Sequence, residues 1–323
     1  MPTPESAVNG VAGRGRRSVA ATVVGALAVA GILAWALSGQ RDEFATALRS
    51  APVWVLLAAV ALQVLALVSR TEAWHQSVSA AGGTVSRRRL HRAASTGNLA
   101  GILNTQLGTA ARIAVLRRTA PVEAPRVPAL IAAEVPILTV EAALAALASF
   151  TLVGPLGLPW WIPLICLVAA VAVIAALGRL AGSRRRDCWR GLAVLRSLHG
   201  RNRVVLLVLV AVFAQILRNW LMLHAVGVDA SVFDATAVLI AMVTLSQLPV
   251  GPSVGAAAVV LILGADGVAL TAAAGVLLTV TGTLGALCFA GWAAIDCLRP
   301  RIRGLPAPPP PAARDLEPAA RLA

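Results

Sequence analysis

Long apolar runs constrain this chain more than any motif: Val19–Leu37, Val53–Val68, Val127–Val153, Trp160–Leu180, Val204–Val226 and Val268–Ile295. A segment embedded in lipid finds no water for its amides, so it must satisfy its own backbone as a helix. About 20 apolar residues of helix cross the hydrocarbon. Hydrophobic residues make up 58% of the chain and charged residues 13%, against roughly 25% charged in a soluble domain. The expectation is an all-α polytopic integral membrane protein with about six full transmembrane helices.

Two stretches break this pattern. Residues 235–264 contain the decapeptide Ser246-Gln-Leu-Pro-Val-Gly-Pro-Ser-Val-Gly255 between two apolar runs too short to cross alone. Its prolines remove backbone donors and its glycines cost entropy, so no helix continues through it. Residues 93–116, with Asn98, Asn104, Gln106 and Arg112, are too polar for lipid and too apolar for a loop. Broken backbone at membrane depth survives where protein or a watery cavity satisfies it. Both stretches therefore read as broken, re-entrant helical hairpins lining a site. A tight turn between two full spans is the other reading.

Arginine placement orients the chain. All 28 basic residues are arginine, and the net charge is +14. With both termini inside, the 93–116 hairpin entering from inside and the 235–264 hairpin from outside, 25 of the 28 fall on the cytoplasmic face. Only Arg41 and Arg49 lie outside, and Arg218 lies in the membrane. Cytoplasmic loops carry such an excess by rule. The charge therefore implies topology and contact with anionic lipid headgroups, and no nucleic acid. The Ala/Val/Leu/Arg bias points to a bacterial cell (inner) membrane. Residues 1–17 and the Pro/Ala-rich 298–323 read as disordered cytoplasmic ends around a single transmembrane domain, 18–297.

An internal repeat is visible in context. Arg70…Trp74…Gly82…Gln106-Leu-Gly108 and Arg218-Asn-Trp220…Gly227…Gln247-Leu-Pro249 share their order. The halves, about 53–126 and 204–295, have opposite orientation by the arginine pattern. Inverted repeats whose broken helices meet near the midplane are a common transporter construction.

Few residues carry chemistry. The four cysteines and four histidines show no metal-ligand spacing, and no phosphate-binding Gly-rich loop is present, so no cofactor is expected. Glu134 and Glu141, seven residues apart, share a helix face about two turns apart. Arg218 interrupts a span, and the expectation is that it pairs with Glu141 and, with Glu134, lines a polar path. Ionisable groups inside membranes are usually paired and functional. A purely structural ion pair is the alternative. Arg112 would offer a planar fork to a phosphate, or serve as an ordinary cytoplasmic loop residue. Asn104, Gln106 and Gln247 would supply amides at the breaks, for substrate or for helix–helix hydrogen bonds. Pro249, Gly251 and Gly255 would shape the backbone there. Trp74 and Trp160-Trp161 read as interfacial anchors.

At the two breaks the chain resembles the flippase-like transmembrane domain of the lysylphosphatidylglycerol synthase (multiple peptide resistance factor) family. The resemblance rests on Asn104-Thr-Gln-Leu-Gly108-Thr-Ala-Ala-Arg112, Leu248-Pro249-Val-Gly251-Pro-Ser-Val-Gly255 and Glu134. The chain departs from the family pattern at Gln106, Val135 and Ala256–Ala258, where proline, arginine and an acidic residue are common. The resemblance implies a lipid flippase or translocase-like protein that moves a polar headgroup through a cavity formed by the broken helices. The aminoacylating members carry a large soluble transferase domain; here 28 residues follow Ile295, so a stand-alone, non-enzymatic member is expected. Its partners would be membrane phospholipid or a lipid-linked intermediate, with a homo-oligomer or a separately encoded enzyme as further partners. Two other readings stand: an integral membrane transferase acting on a lipid-linked substrate, and a degenerate family member acting as a membrane scaffold.

Overall fold

The computed structural model describes residues 27–302, apart from 29–30, 33–34, 36, 104, 183–191, 193, 195–196, 247–253 and 265–266. The described residues form helices and connecting turns. A short α1, Arg41–Ser50, precedes α2, Val53–Ala80. The first hairpin is α3, Arg87–Leu103, and α4, Thr105–Thr119. The next span is built from α5, Val127–Ala132, α6, Val135–Ala148, a 3-10 turn at Ser149–Leu152 and α7, Val153–Leu156. Then follow α8, Trp161–Gly182, and α9, Leu198–Ala225. The second hairpin is α10, Val232–Leu245, and α11, Val254–Leu263, and α12, Val268–Ile302, closes the bundle.

Four segments are long and apolar enough to cross a membrane: Val53–Ala80, Val127–Leu156, Leu198–Ala225 and Val268–Leu298. Trp161–Leu177 is a shorter apolar helix, at the position of the expected span Trp160–Leu180. Most of the expected first span, Val19–Leu37, lies outside the described residues. The chain is a multi-pass, all-α membrane protein.

Helices α2 and α9 form the central antiparallel pair. Ser50 Oγ donates to the Ala225 carbonyl at 3.3 Å, while Gln63, further along α2, meets Arg218, further back along α9. Each helix has 28 residues and ends the same way. Gly82 and Gly227 take left-handed φ of 91° and 88°, a region that costs glycine least. Beyond each, an N–H reaches back five residues, Gly83 to Val78 and Val228 to Leu223, both at 3.0 Å. This is the Schellman termination. The starts of α2 and α9, their ends, the two glycines and the starts of α3 and α10 are all separated by 145 residues. Because α2 and α9 run in opposite directions, the two hairpins lie at opposite ends of the pair.

Each hairpin sits in its own core. One cluster joins Trp74, Val78, Leu90, Leu116, Leu130 and Ile137 to Val204 and Val208 at the start of α9. The other joins Met222, Leu223, Val238, Val259 and Leu278 to Val55 and Ala59 at the start of α2. Between them, among the described residues, Ala66, Ala211 and Ala214, with Leu62, form a small apolar patch. Arg92 also ties the first hairpin to α12, donating from Nη2 to the Asp296 carboxylate at 2.6 Å and to the Asp296 carbonyl at 2.7 Å.

The hairpin arms approach through glycine. A Cβ on Gly108 would lie 2.7 Å from the Gly97 carbonyl oxygen and 2.9 Å from Gly101 Cα. Close approach of this kind is how small residues join helices in lipid. In the second half, Gly275 of α12 lies against Ala256, and Gly255 against Gly275 and Thr279.

Candidate functional site

Three charged or polar residues of α2 form one stripe toward the waist between the two cores: Gln63, Arg70 and Trp74. Their spacing of seven and four residues keeps them on one helix face, separated by about 10 Å and 6 Å along the axis. Each meets a different level of the site.

At the first level Arg112 of α4 pairs with Glu134, and its guanidinium carbon lies 4.6 Å from the centre of the Trp74 ring. Glu134 stands between α5 and α6. Pro136 follows, and a proline has no N–H to bond the preceding turn, so the span is interrupted there. Glu134 stands at the N-cap position of α6, but its carboxylate turns to Arg112 and makes no capping hydrogen bond. Glu134 is buried and Arg112 largely so, with 9% and 15% of their side chains exposed. Arg112 therefore lies inside the hairpin, on α4, and not in a loop. Trp74, expected as an interfacial anchor, is wholly buried beneath it. Arginine favours this position because its flat, weakly hydrated head can both pair and stack.

At the second level Arg70 Nη1 lies 2.9 Å from Glu141 Oε1, with 43% of the Arg70 side chain exposed. Arg70 is also near enough to Glu134 for their charges to interact. The four groups Arg70, Arg112, Glu134 and Glu141 thus form a charge-balanced quartet joining α2, α4 and α6.

At the third level Arg218 Nη1 donates to Gln63 Oε1. The expected Arg218–Glu141 pair does not form. Glu141 sits at the height of Arg70, whereas Arg218 sits at the height of Gln63, about two turns away along α2. Helix α9 also begins at Leu198, six residues before the expected span, so depth counted from Val204 misplaces the register.

The other sequence candidates divide in two. Asn104, Gln247, Pro249 and Gly251 lie outside the described residues, as does the side chain of Gln106. Gly255 is buried in the α11–α12 contact, where it packs against Gly275 and Thr279. Three residues of the levels escaped the sequence reading: Gln63, Arg70 as a partner, and Trp74 as a stacking platform. A signal existed. Gln63 is the one polar residue in Val53–Val68, and it stands seven before Arg70.

Residues 22–290 match the family model described as the lysylphosphatidylglycerol synthase TM region. The chain belongs to this family. No match was found among curated proteins. The matched region of this lysylphosphatidylglycerol synthase TM protein includes both hairpins and all three levels of the waist. It is an integral membrane protein of a lipid-related family, and the waist is its candidate site.

Proposed function

We propose that this protein carries a polar lipid headgroup across the bilayer along the α2 stripe, without covalent chemistry, while the acyl tails stay in lipid. The observation behind this reading is the ladder of polar groups between two apolar cores. A headgroup leaving water loses hydration worth several kcal/mol, and a path is usable only where fixed charges replace it. The quartet offers both signs within one helical turn or two, so phosphate and amine parts of a headgroup can each find a counter-charge.

The half-exposed Arg70 is the entrance to this path, and Arg218 marks its depth. The path opens on the inner face of a bacterial cell membrane with both termini cytoplasmic. The arginine distribution supports that orientation, since 23 of 28 then face the cytoplasm, with Arg70 and Arg112 turned into the waist. Inverted hairpins at the two ends of α2 and α9 support alternating access from the two faces.

The test is lipid translocation in reconstituted vesicles. A fluorescent phospholipid on the inner leaflet is followed by its loss of protection from an impermeant quencher. Wild-type vesicles are expected to exchange lipid at least tenfold faster than protein-free vesicles, and Glu141→Gln to remove most of that gain. If wild-type and protein-free vesicles exchange at one rate, the ladder is a structural tie between helices and the protein is a scaffold.

A further inference from the structure

Helix α12 is a single rod of 35 residues, about 52 Å long. One of its faces touches both hairpins and the waist. Gly275 meets Ala256 of the second hairpin, Gly282 stands beside Arg218, and Gly285 packs on Gln63. Further along, Phe289, Trp292 and Asp296 meet the first hairpin. Steps of seven, three, four, three and four residues keep all six on one stripe. The outer and middle contacts are made by glycine, which has no side chain to interlock. The inner ones are specific.

At the inner end Arg92 of α3 holds Asp296 in two ways. Nε and Nη2 donate to carboxylate Oδ2 at 2.9 and 2.6 Å, and Nη2 also donates to the Asp296 carbonyl at 2.7 Å. That carbonyl is available because Pro300, four residues on, has no N–H to close the helical turn. Next to this grip the buried ring of His91 lies edge-on to Phe289 and Trp292, which stack on each other 5.9 Å apart. At the outer end the Val127–Leu156 span meets the second hairpin's core through apolar side chains, Leu152 and Leu156. The two ends are therefore fastened differently.

A proton is costly in the closed seam. The Arg87 carbonyl can only accept, so His91 Nδ1–H donates to it and Nε2 is the nitrogen left to protonate. The charged groups facing the ring offer it no uncommitted anion. On α3, Arg87 and Arg92 are themselves cations. On α2, Glu72 is held by Arg87 at 2.7 Å, and His75 adds no negative charge. On α12, Asp296 is held by Arg92. On α4, Arg112 turns to Glu134 and Arg117 to the Pro121 and Ala124 carbonyls. Burial, with the neighbouring cations, outweighs the Arg87 carbonyl and Glu72 and holds the ring's pKa below 6.5. Where the seam opens, the ring regains water and its ordinary pKa, so acid favours the open form.

We propose that the α3–α12 seam is a proton-operated latch on the cytoplasmic side: protonation of His91 parts Asp296 and the aromatic pair from the first hairpin, and α12 swings about its glycine contacts. Acid then loosens the inner end of the bundle while the apolar outer end stays closed. The latch acts whatever the waist carries, because it is built from the packing of α12 and needs no ligand.

Electron–electron distance measurements between spin labels test it, on the full chain with its native cysteines replaced, in lipid. One pair, Thr84→Cys with Leu298→Cys, spans the latch. A second, Leu57→Cys with Val280→Cys, spans α2 and α12 on the outer side of the Gly285 contact; all four positions are exposed. Between pH 7.5 and 5 the first pair is expected to gain a longer distance. Its open-to-closed ratio should rise severalfold, to a ceiling of about thirtyfold set by an open-form histidine near 6.5. The second pair should keep its distance. His91→Asn should abolish the response to pH, and Arg92→Ala should show the longer distance at both pH values. Asp296→Asn, which leaves Arg92 only neutral acceptors, supplies the same reading if Arg92→Ala does not fold. A first-pair distance that ignores pH overturns the latch, as does a response that survives His91→Asn. Lengthening of both pairs together marks general loosening and overturns it too.

Discussion

Arg70, rather than Arg218, holds Glu141: Nη1 and Oε1 are 2.9 Å apart, and both helices are fixed at that height by their neighbours. The pair sits between Arg112–Glu134 on one side and Arg218–Gln63 on the other. One stripe of α2 therefore meets three partners drawn from three parts of the chain. The waist is a shared property of the two halves, and each prediction below probes one of its supports.

The Arg112–Glu134 pair is the most buried ion pair in the quartet. Glu134→Gln leaves Arg112 over Trp74 without a counter-charge and is expected to destabilise the protein by about 3–5 kcal/mol. Adding Arg112→Met should recover most of that loss, because the double variant buries no charge. Unfolding midpoints in detergent measure both. A double variant no more stable than Glu134→Gln would show that the pair's geometry, and not its charge balance, holds the hairpin.

The first hairpin depends on one glycine more than on its neighbour. A Cβ on Gly108 would press on the Gly97 carbonyl and on Gly101, whereas one on Gly101 would have 3.9 Å to its nearest neighbour. Gly108→Ala is expected to cost about 1–3 kcal/mol by overpacking, while Gly101→Ala is tolerated. Thermal unfolding of the two variants side by side decides it. Equal losses would mean the arms spread to admit either methyl.

The turns that follow α2 and α9 should open on opposite faces. Thr84 and Asp229 are exposed residues of these two turns. In a cysteine-free background, Thr84→Cys is expected to react with an impermeant thiol reagent from the cytoplasmic side and Asp229→Cys from the outside. Labelling of both from one face would remove the inverted arrangement in the membrane.

His91 gives the first hairpin a pH dependence. It lies before the apolar part of α3, its Nδ1–H donating to the Arg87 carbonyl at 2.8 Å and its ring edge-on to Phe289 and Trp292. Burial holds its pKa below 6.5, opposed by the hydrogen bond to the Arg87 carbonyl and by the nearby Glu72, and aided by the charges of Arg87 and His75. The folded form therefore prefers the neutral ring. As pH falls below 6.5 the unfolded chain takes up the proton first, so stability is full above that value and declines until the folded pKa is reached. The wild type should lose more thermal stability than His91→Asn between pH 7.5 and 5. Identical losses would place the dependence on other groups.

How much of this was legible in the residues differs by level. The helices were, because apolar runs of bilayer length have one backbone solution in lipid. The hairpins were also legible from their polar breaks, and α3–α4 and α10–α11 stand where 93–116 and 235–264 suggested. Arg112 and Glu134 were named separately, yet nothing in the sequence brings them together across 22 residues and a helix break. Trp74 was misread because a tryptophan after a polar span end looks interfacial until Arg112 is known to cover it.

The amino-acid sequence by itself determined that the chain is helical and where most of its described helices run, since hydropathy and proline or glycine breaks act locally. Tertiary structure alone decided which charge meets which. A pairing depends on helix rotation and on height to within a turn, about 5 Å, and both are set by packing between distant segments. Gln63 became Arg218's partner and Arg70 became Glu141's through the register of α2 against α9 and α6, a quantity written in no single stretch of the chain.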